Sequence, residues 1–188
     1  MTKNHVCPVQ LAGSLDTKIR RWFQNPQRIL EPYIKEGMTV LDIGCGPGFF
    51  TLDMAQMVGE SGKVFAVDLQ QGMLQKLENK IRNTELEERI TLHQSSEDKI
   101  GLEEEVDFIL AFYMVHEAPQ QDKFFSDIKS ILKTSGQMLI VEPPLHVTWQ
   151  AFGQSIKNAR SAGLLTREGP KIPFNKTAII RSTLKSGW

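Results

Sequence analysis

Residues 40–48 read Val40-Leu41-Asp42-Ile43-Gly44-Cys45-Gly46-Pro47-Gly48, an apolar run that passes into a glycine-rich turn ahead of a helical pattern. An open α/β sheet makes its ligand crevice in this way, at the carboxyl edge of its strands. Glycines there let backbone approach a ligand closely. Turn chemistry alone also places glycines after a strand, so a second signal is needed. It comes in Val64-Phe65-Ala66-Val67-Asp68, where the acid closes the next apolar run twenty residues after Gly48. A carboxylate at that distance suits the two hydroxyls of a ribose. Asp68 as the cap of the following helix is the bland alternative, and the two roles are compatible.

Outward from this stretch, strand-like and helix-like segments take turns. Thr39 to Ile43, Lys63 to Asp68, Ile90 to His93, Val106 to Phe112 and Gln137 to Glu142 are short runs rich in β-branched or aromatic residues, and they read as five buried strands. Helical periodicity fills the gaps over Phe49 to Val58, Gly72 to Leu86 and Pro119 to Lys133. Strict alternation implies parallel pairing through right-handed crossovers, with helices on both faces. After the fifth strand, Val147 to Ala162 reads as a helix with Trp149, Phe152, Ile156 and Ala159 inward, stopped by Gly163. Leu164 to Glu168 and Thr177 to Leu184 then read as two strands. The eight residues between them are too few for a helical crossover. Those two strands are therefore expected to be antiparallel, which makes a Rossmann-like, seven-stranded, mostly parallel α/β sheet with a reversed final strand. Ahead of residue 37, Leu15, Ile19, Trp22 and Phe23 form a helical stripe, and Asn25-Pro26 has the cap and first-turn chemistry for a short helix over Gln27 to Glu31. Residues 1–36 are expected to form a helical lid, and 37–188 one globular domain.

Composition narrows the partners. Lys plus Arg and Asp plus Glu each number 22, so the formal net charge is zero and no long-range field gathers a polyanion or an anionic membrane. The longest apolar run, Phe108 to Val115, has eight residues, where a membrane span needs about 20. Nucleic acid and membrane are not expected as partners. The first residues have no apolar core of the kind a secretory signal requires, and Cys7 and Cys45 are the only cysteines, so a cytoplasmic protein without disulfides or metal is expected.

Two kinds of nucleotide ligand use such a crevice. A dinucleotide pyrophosphate is served by G-x-G-x-x-G and its backbone N–H donors. Here the spacing is G-x-G-x-G, Pro47 removes a donor, and Asp42 adds a negative charge. A ligand with a cationic end suits the turn better. In these residues the sequence resembles the class I S-adenosylmethionine-dependent methyltransferases of the type that acts on small molecules, whose first motif is an acidic residue followed by G-x-G-x-G. The resemblance extends from Gly37 to the end, including the reversed final strand. It implies S-adenosylmethionine as cofactor, with the turn residues Asp42, Gly44, Cys45, Gly46 and Gly48 around it. It also implies that Asp68 binds the ribose, that Leu69 flanks the adenine and that Met73 packs nearby. Gln94-Ser95-Ser96-Glu97 resembles the segment that reads the adenine edge, with Ser96 where many members carry an aspartate, and Ala111 would pass beside the methionine part.

The acceptor side rests on fewer residues. Transfer from a sulfonium needs mainly alignment and exclusion of water. A base helps where the acceptor must lose a proton, and His116, just past the fourth strand, is the candidate. Capping the next helix or bonding the backbone is its bland alternative. His93 lies within a strand and reads as structural. Glu142 is a second candidate at the rim, where a carboxylate is usually solvated. Ala111-Phe112-Tyr113-Met114 stands where methyltransferases of nucleobase amines and glutamine amides carry an Asn/Asp-Pro-Pro-aromatic motif, and two cysteines are too few for the arsenite enzymes. A small-molecule acceptor remains, against an aromatic wall of Trp22 and Phe23 rimmed by Arg20 and Arg21, or with those residues serving only as an amphipathic helix. The rival readings are a catalytically silent cofactor-binding module and an NAD-dependent oxidoreductase. A homodimer is compatible with the sequence.

Overall fold

The structure, a computed structural model, describes residues 24–182. Seven strands lie among them: β1 Thr39–Ile43, β2 Lys63–Asp68, β3 Ile90–Gln94, β4 Val106–Phe112, β5 Leu132–Glu142, β6 Leu165–Glu168 and β7 Lys176–Arg181. The helices are α1 Pro26–Leu30, α2 Thr51–Met57, α3 Gln71–Ile81, α4 Gln121–Ile131 and α5 Trp149–Ser161, with a 3₁₀ turn at Val115–Glu117. Together they make the seven-stranded, mostly parallel sheet of the Rossmann-like class. The chain divides into two compact units, Met1–Ser95 and Ser96–Trp188. The lid stripe of Leu15, Ile19, Trp22 and Phe23 lies outside the described residues.

In the first unit β1 pairs in parallel with β2, and β2 in parallel with β3. Val40, Leu41, Val64, Ala66 and Val67 have no exposed surface, as expected of parallel strands covered on both faces. Ile90–Gln94 is half exposed rather than buried, because it has a partner on one side only within this unit. Asn25 caps α1 by accepting from the Arg28 N–H at 3.2 Å, and Pro26 takes the first turn. Helix α3 ends at Ile81, short of the expected Leu86, because Asn83 turns left-handed at φ 60° and its N–H goes to the Glu87 carboxylate at 2.7 Å.

In the second unit β4 and β5 are parallel, and β7 runs antiparallel to β5 on one side and to β6 on the other. The short β6–β7 connection therefore does what its length demands. Thr148 caps α5, its hydroxyl accepting from the Ala151 N–H at 3.1 Å. Phe152 and Ala159 are buried as expected, but Trp149 is 72% exposed. It is the first helical residue, and there the period has no preceding turn to fix which way the side chain leaves.

Candidate functional site

The first unit gathers the glycine turn and the end of β2. Asp42 is 2% exposed and accepts a 2.6 Å hydrogen bond from the hydroxyl of Thr51, the first residue of α2. Strand and helix are thus pinned across the turn that joins them. Past the strand, the backbone N–H groups of Gly44 and Cys45 both donate to the Val67 carbonyl, at 2.8 and 3.0 Å. Lys80 of α3 donates to the Pro47 carbonyl at 2.8 Å, so the turn is held from both neighbouring elements. Gly46 takes φ +53°, and a side chain there would meet nothing within 4 Å. That is open space facing bare backbone. Gly48 takes φ +88°, and a side chain there would run into Leu77 of α3, so this glycine serves close helix packing.

Asp68 closes the arrangement. One carboxylate oxygen accepts from the Gly46 N–H at 2.9 Å and the other from the Gln70 N–H at 2.8 Å. It therefore braces the chain entering α3, whose N-cap Gln70 has no side-chain cap of its own, and is at the same time an acid held against the turn. Burial pushes its carboxyl above the usual 3.8, and the N–H groups of Gln70, Gly46 and Leu69 pull it back in part. Burial, then the charges of Asp42 and Asp68, push the Cys45 thiol well above its ordinary value. The Cys45 thiol is thereby held in its neutral form. Leu69 is half-buried beside Asp68, and Met73 is 2% exposed on the first turn of α3.

The second unit holds a different cluster. His116 sits in the 3₁₀ turn after β4. Its backbone N–H donates to one oxygen of Glu142 at 3.0 Å, and its ring Nδ1 lies 2.6 Å from the other. Glu142, the second candidate at the rim, is not the solvated carboxylate of the bland alternative. It is instead 1% exposed, because β5 carries it inside and two groups of one residue satisfy it. Lys176 pairs with Glu142 in the β5–β7 register, is itself buried, and donates to the Pro144 carbonyl at 3.3 Å. Burial works against a charged His116, yet its bond to Glu142 and the charges of Glu142 and Glu117 outweigh that and raise it above 6.5.

Ala111 is fully buried in β4. Ser96 and Glu97 are exposed, and the Ser96 hydroxyl donates to Asp98 at 2.8 Å. Arg20, Arg21, Trp22 and Phe23 lie outside the described residues. Among those residues, no cluster of three or more His, Cys, Asp or Glu side chains is placed to hold a metal, and no helix is long and apolar enough to cross a membrane.

A family model described as "Methyltransferase domain" matches residues 34–168, and the chain belongs to that family. It is a class I S-adenosylmethionine-dependent methyltransferase in family and fold, and S-adenosylmethionine is the cofactor of that class. Over 132 residues the chain is 28% identical to a demethylmenaquinone methyltransferase of Lactobacillus johnsonii, covering 66% of this chain and 54% of the relative. Over 110 residues it is 27% identical to a ubiquinone/menaquinone biosynthesis C-methyltransferase of Escherichia fergusonii, covering 58% and 44%. The chain thus spans about half the length of the curated relatives it matches. Among solved structures it resembles a SAM-dependent methyltransferase from Aquifex aeolicus, with TM-score 0.82, 26% identity, and coverage of 93% of this chain and 97% of that one.

The first unit fits the cofactor. A buried carboxylate retains acceptor capacity at the end of β2, and the glycine turn leaves the space beside Gly46 open.

Proposed function

We propose that the protein transfers a methyl group to a small-molecule acceptor that loses a proton on reaction, such as the ring carbon of a hydroxylated aromatic or quinol. The observation that carries this reading is the His116–Glu142 pair. With Nδ1–H donated to a buried carboxylate, Nε2 is left as the basic nitrogen. Glu142 also stabilises the imidazolium that forms when His116 takes the proton. The names of the relatives, which include a C-methyltransferase, support an acceptor of this kind. In the first unit, Asp68 would take the ribose hydroxyls, Leu69 and Met73 would lie against the adenine, and Asp42, Gly44, Cys45, Gly46 and Gly48 would form the turn about the rest. Bound S-adenosylmethionine supplies a methyl already activated on a sulfonium, which departs as a neutral thioether.

The test combines binding with transfer. Calorimetry should find S-adenosylmethionine and its demethylated product binding at about micromolar levels and NAD without measurable heat, because Pro47 and the short glycine spacing leave too few donors for a pyrophosphate. Radiolabelled S-adenosylmethionine with demethylmenaquinol should then yield labelled quinol. His116→Ala should lower turnover about 10²- to 10⁴-fold while cofactor affinity stays within a factor of about three. Cofactor binding without transfer to this quinol or to any pool of small metabolites would favour the silent-module reading. NAD binding as tight as S-adenosylmethionine would overturn the assignment.

A further inference from the structure

The second unit contains a cleft of about 530 Å³, bounded by α5, by the β6–β7 pair and by the segment that joins those strands. Its size falls in the range of small-molecule sites, about 300 to 1,000 Å³. Trp149 and Phe174 stand at it as exposed aromatics, at 72% and 86%, and with Leu145 they are the exposed large apolar side chains among the described residues. Phe174 combines this exposure with a left-handed backbone at φ +66°, which disfavours a side chain of its size. A ligand that covers the ring would take its apolar surface out of water, and a backbone strained at an exposed ring is a feature that functional sites retain.

The charges select the ligand. Among the described residues, Arg160, Arg167 and Lys171 line the cleft against one acid, Glu168. All three cations are exposed, and Arg160 is steadied by donating to Thr166 at 2.7 Å. The segment that carries Lys171 and Phe174 is tied down in turn, because Asn175 accepts from the Tyr113 hydroxyl and donates to the Pro173 carbonyl. An apolar wall with cations on its rim, on a scaffold anchored by side chains, complements a molecule with an apolar body and one anionic end.

We propose that this cleft binds a free anionic amphiphile, its apolar body between Trp149 and Phe174 and its anion against Arg167 and Lys171. Neither His116 nor a residue of the glycine turn is among the residues that line this cleft, and the proposal does not use the methyl acceptor assigned above.

The test titrates the full chain with dodecanoate and with dodecyltrimethylammonium, each below its micellar concentration, by calorimetry. Dodecanoate should bind one to one at about 10 to 100 µM, and the cationic chain at least about tenfold more weakly. Phe174→Ser and the pair Arg167→Glu with Lys171→Glu should each weaken dodecanoate about tenfold or more. These side chains are exposed, so circular dichroism should be unchanged. Equal affinity for the two chains, or variants that bind as the parent does, would overturn the proposal. Binding to phosphatidylglycerol vesicles without binding to free dodecanoate would also overturn it and would mark a lipid surface as the occupant.

Discussion

Asp68 and Gly46, 22 residues apart, are joined by a 2.9 Å hydrogen bond from the glycine N–H to the carboxylate. The acid at the end of β2 thereby holds the turn after β1 in the shape that leaves the space beside Gly46 open. Replacing Asp68 by alanine should weaken S-adenosylmethionine binding by about 1.5 to 3 kcal/mol, the worth of hydrogen bonds to a charged group. The melting temperature without cofactor should change little. Burial raises the folded pKa above 3.8, so this group favours folding below that value and loses the contribution as pH rises. At neutral pH the burial of its charge therefore offsets its backbone hydrogen bonds. A large fall in apo stability with unchanged affinity would reduce Asp68 to a structural brace of the turn.

Gly46 and Gly48 should separate under the same substitution. Gly48→Ala combines a left-handed φ with a collision against Leu77, and should cost about 2 to 4 kcal/mol in denaturant unfolding. Gly46→Ala meets open space and should cost about 1 to 2 kcal/mol from its backbone angle alone. Its methyl would occupy the cradle, so calorimetry should find cofactor affinity lost out of proportion to stability.

Glu142→Gln should lower the pKa of His116, read by the pH dependence of its ring signals in NMR, because the bond and charge that raise it are removed. A raised folded pKa means that the pair contributes its full stability below 6.5 and loses it as pH rises through the folded value. The stability difference between parent and variant should therefore shrink from pH 6 toward alkaline pH. If His116 is the base, turnover should rise with pH, and in the variant this rise should move to lower pH.

Phe174→Asn should raise the unfolding free energy by about 0.5 kcal/mol, since asparagine tolerates the left-handed backbone better and the ring it replaces is exposed. A loss of 1 kcal/mol or more would mean that the ring packs in the free protein. Urea unfolding followed by circular dichroism measures the difference.

The strands were legible where burial on both faces left only apolar residues to read. β1, β2 and β4 fall on their expected residues, and so does the turn that follows β1. Helix ends were less legible. The stop at Ile81 depends on a left-handed Asn83 tied to Glu87, and no glycine or proline announces it. The outward turn of Trp149 is likewise a property of a helix start, where periodicity has no earlier turn to lean on. His116 and Glu142 could each be singled out by their places at the ends of strands, yet their pairing could not. Glu142 is 26 residues away, and only the parallel pairing of β4 and β5 brings the two together. The cleft at Phe174 left no motif at all, because its lining is assembled from a helix face and a hairpin whose residues follow no period.

The placement of β7 between β5 and β6 has a consequence for the order in which the chain is made. β5 is complete at Glu142, but the partner of its outer edge begins only at Lys176. A nascent polypeptide halted between them would carry Met138 to Val141 as an unsatisfied hydrogen-bonding ladder of apolar residues, a template for pairing with other chains. The second unit thus cannot close while synthesis is under way short of that point. Termination near Gly169 should yield aggregates rather than a shortened enzyme.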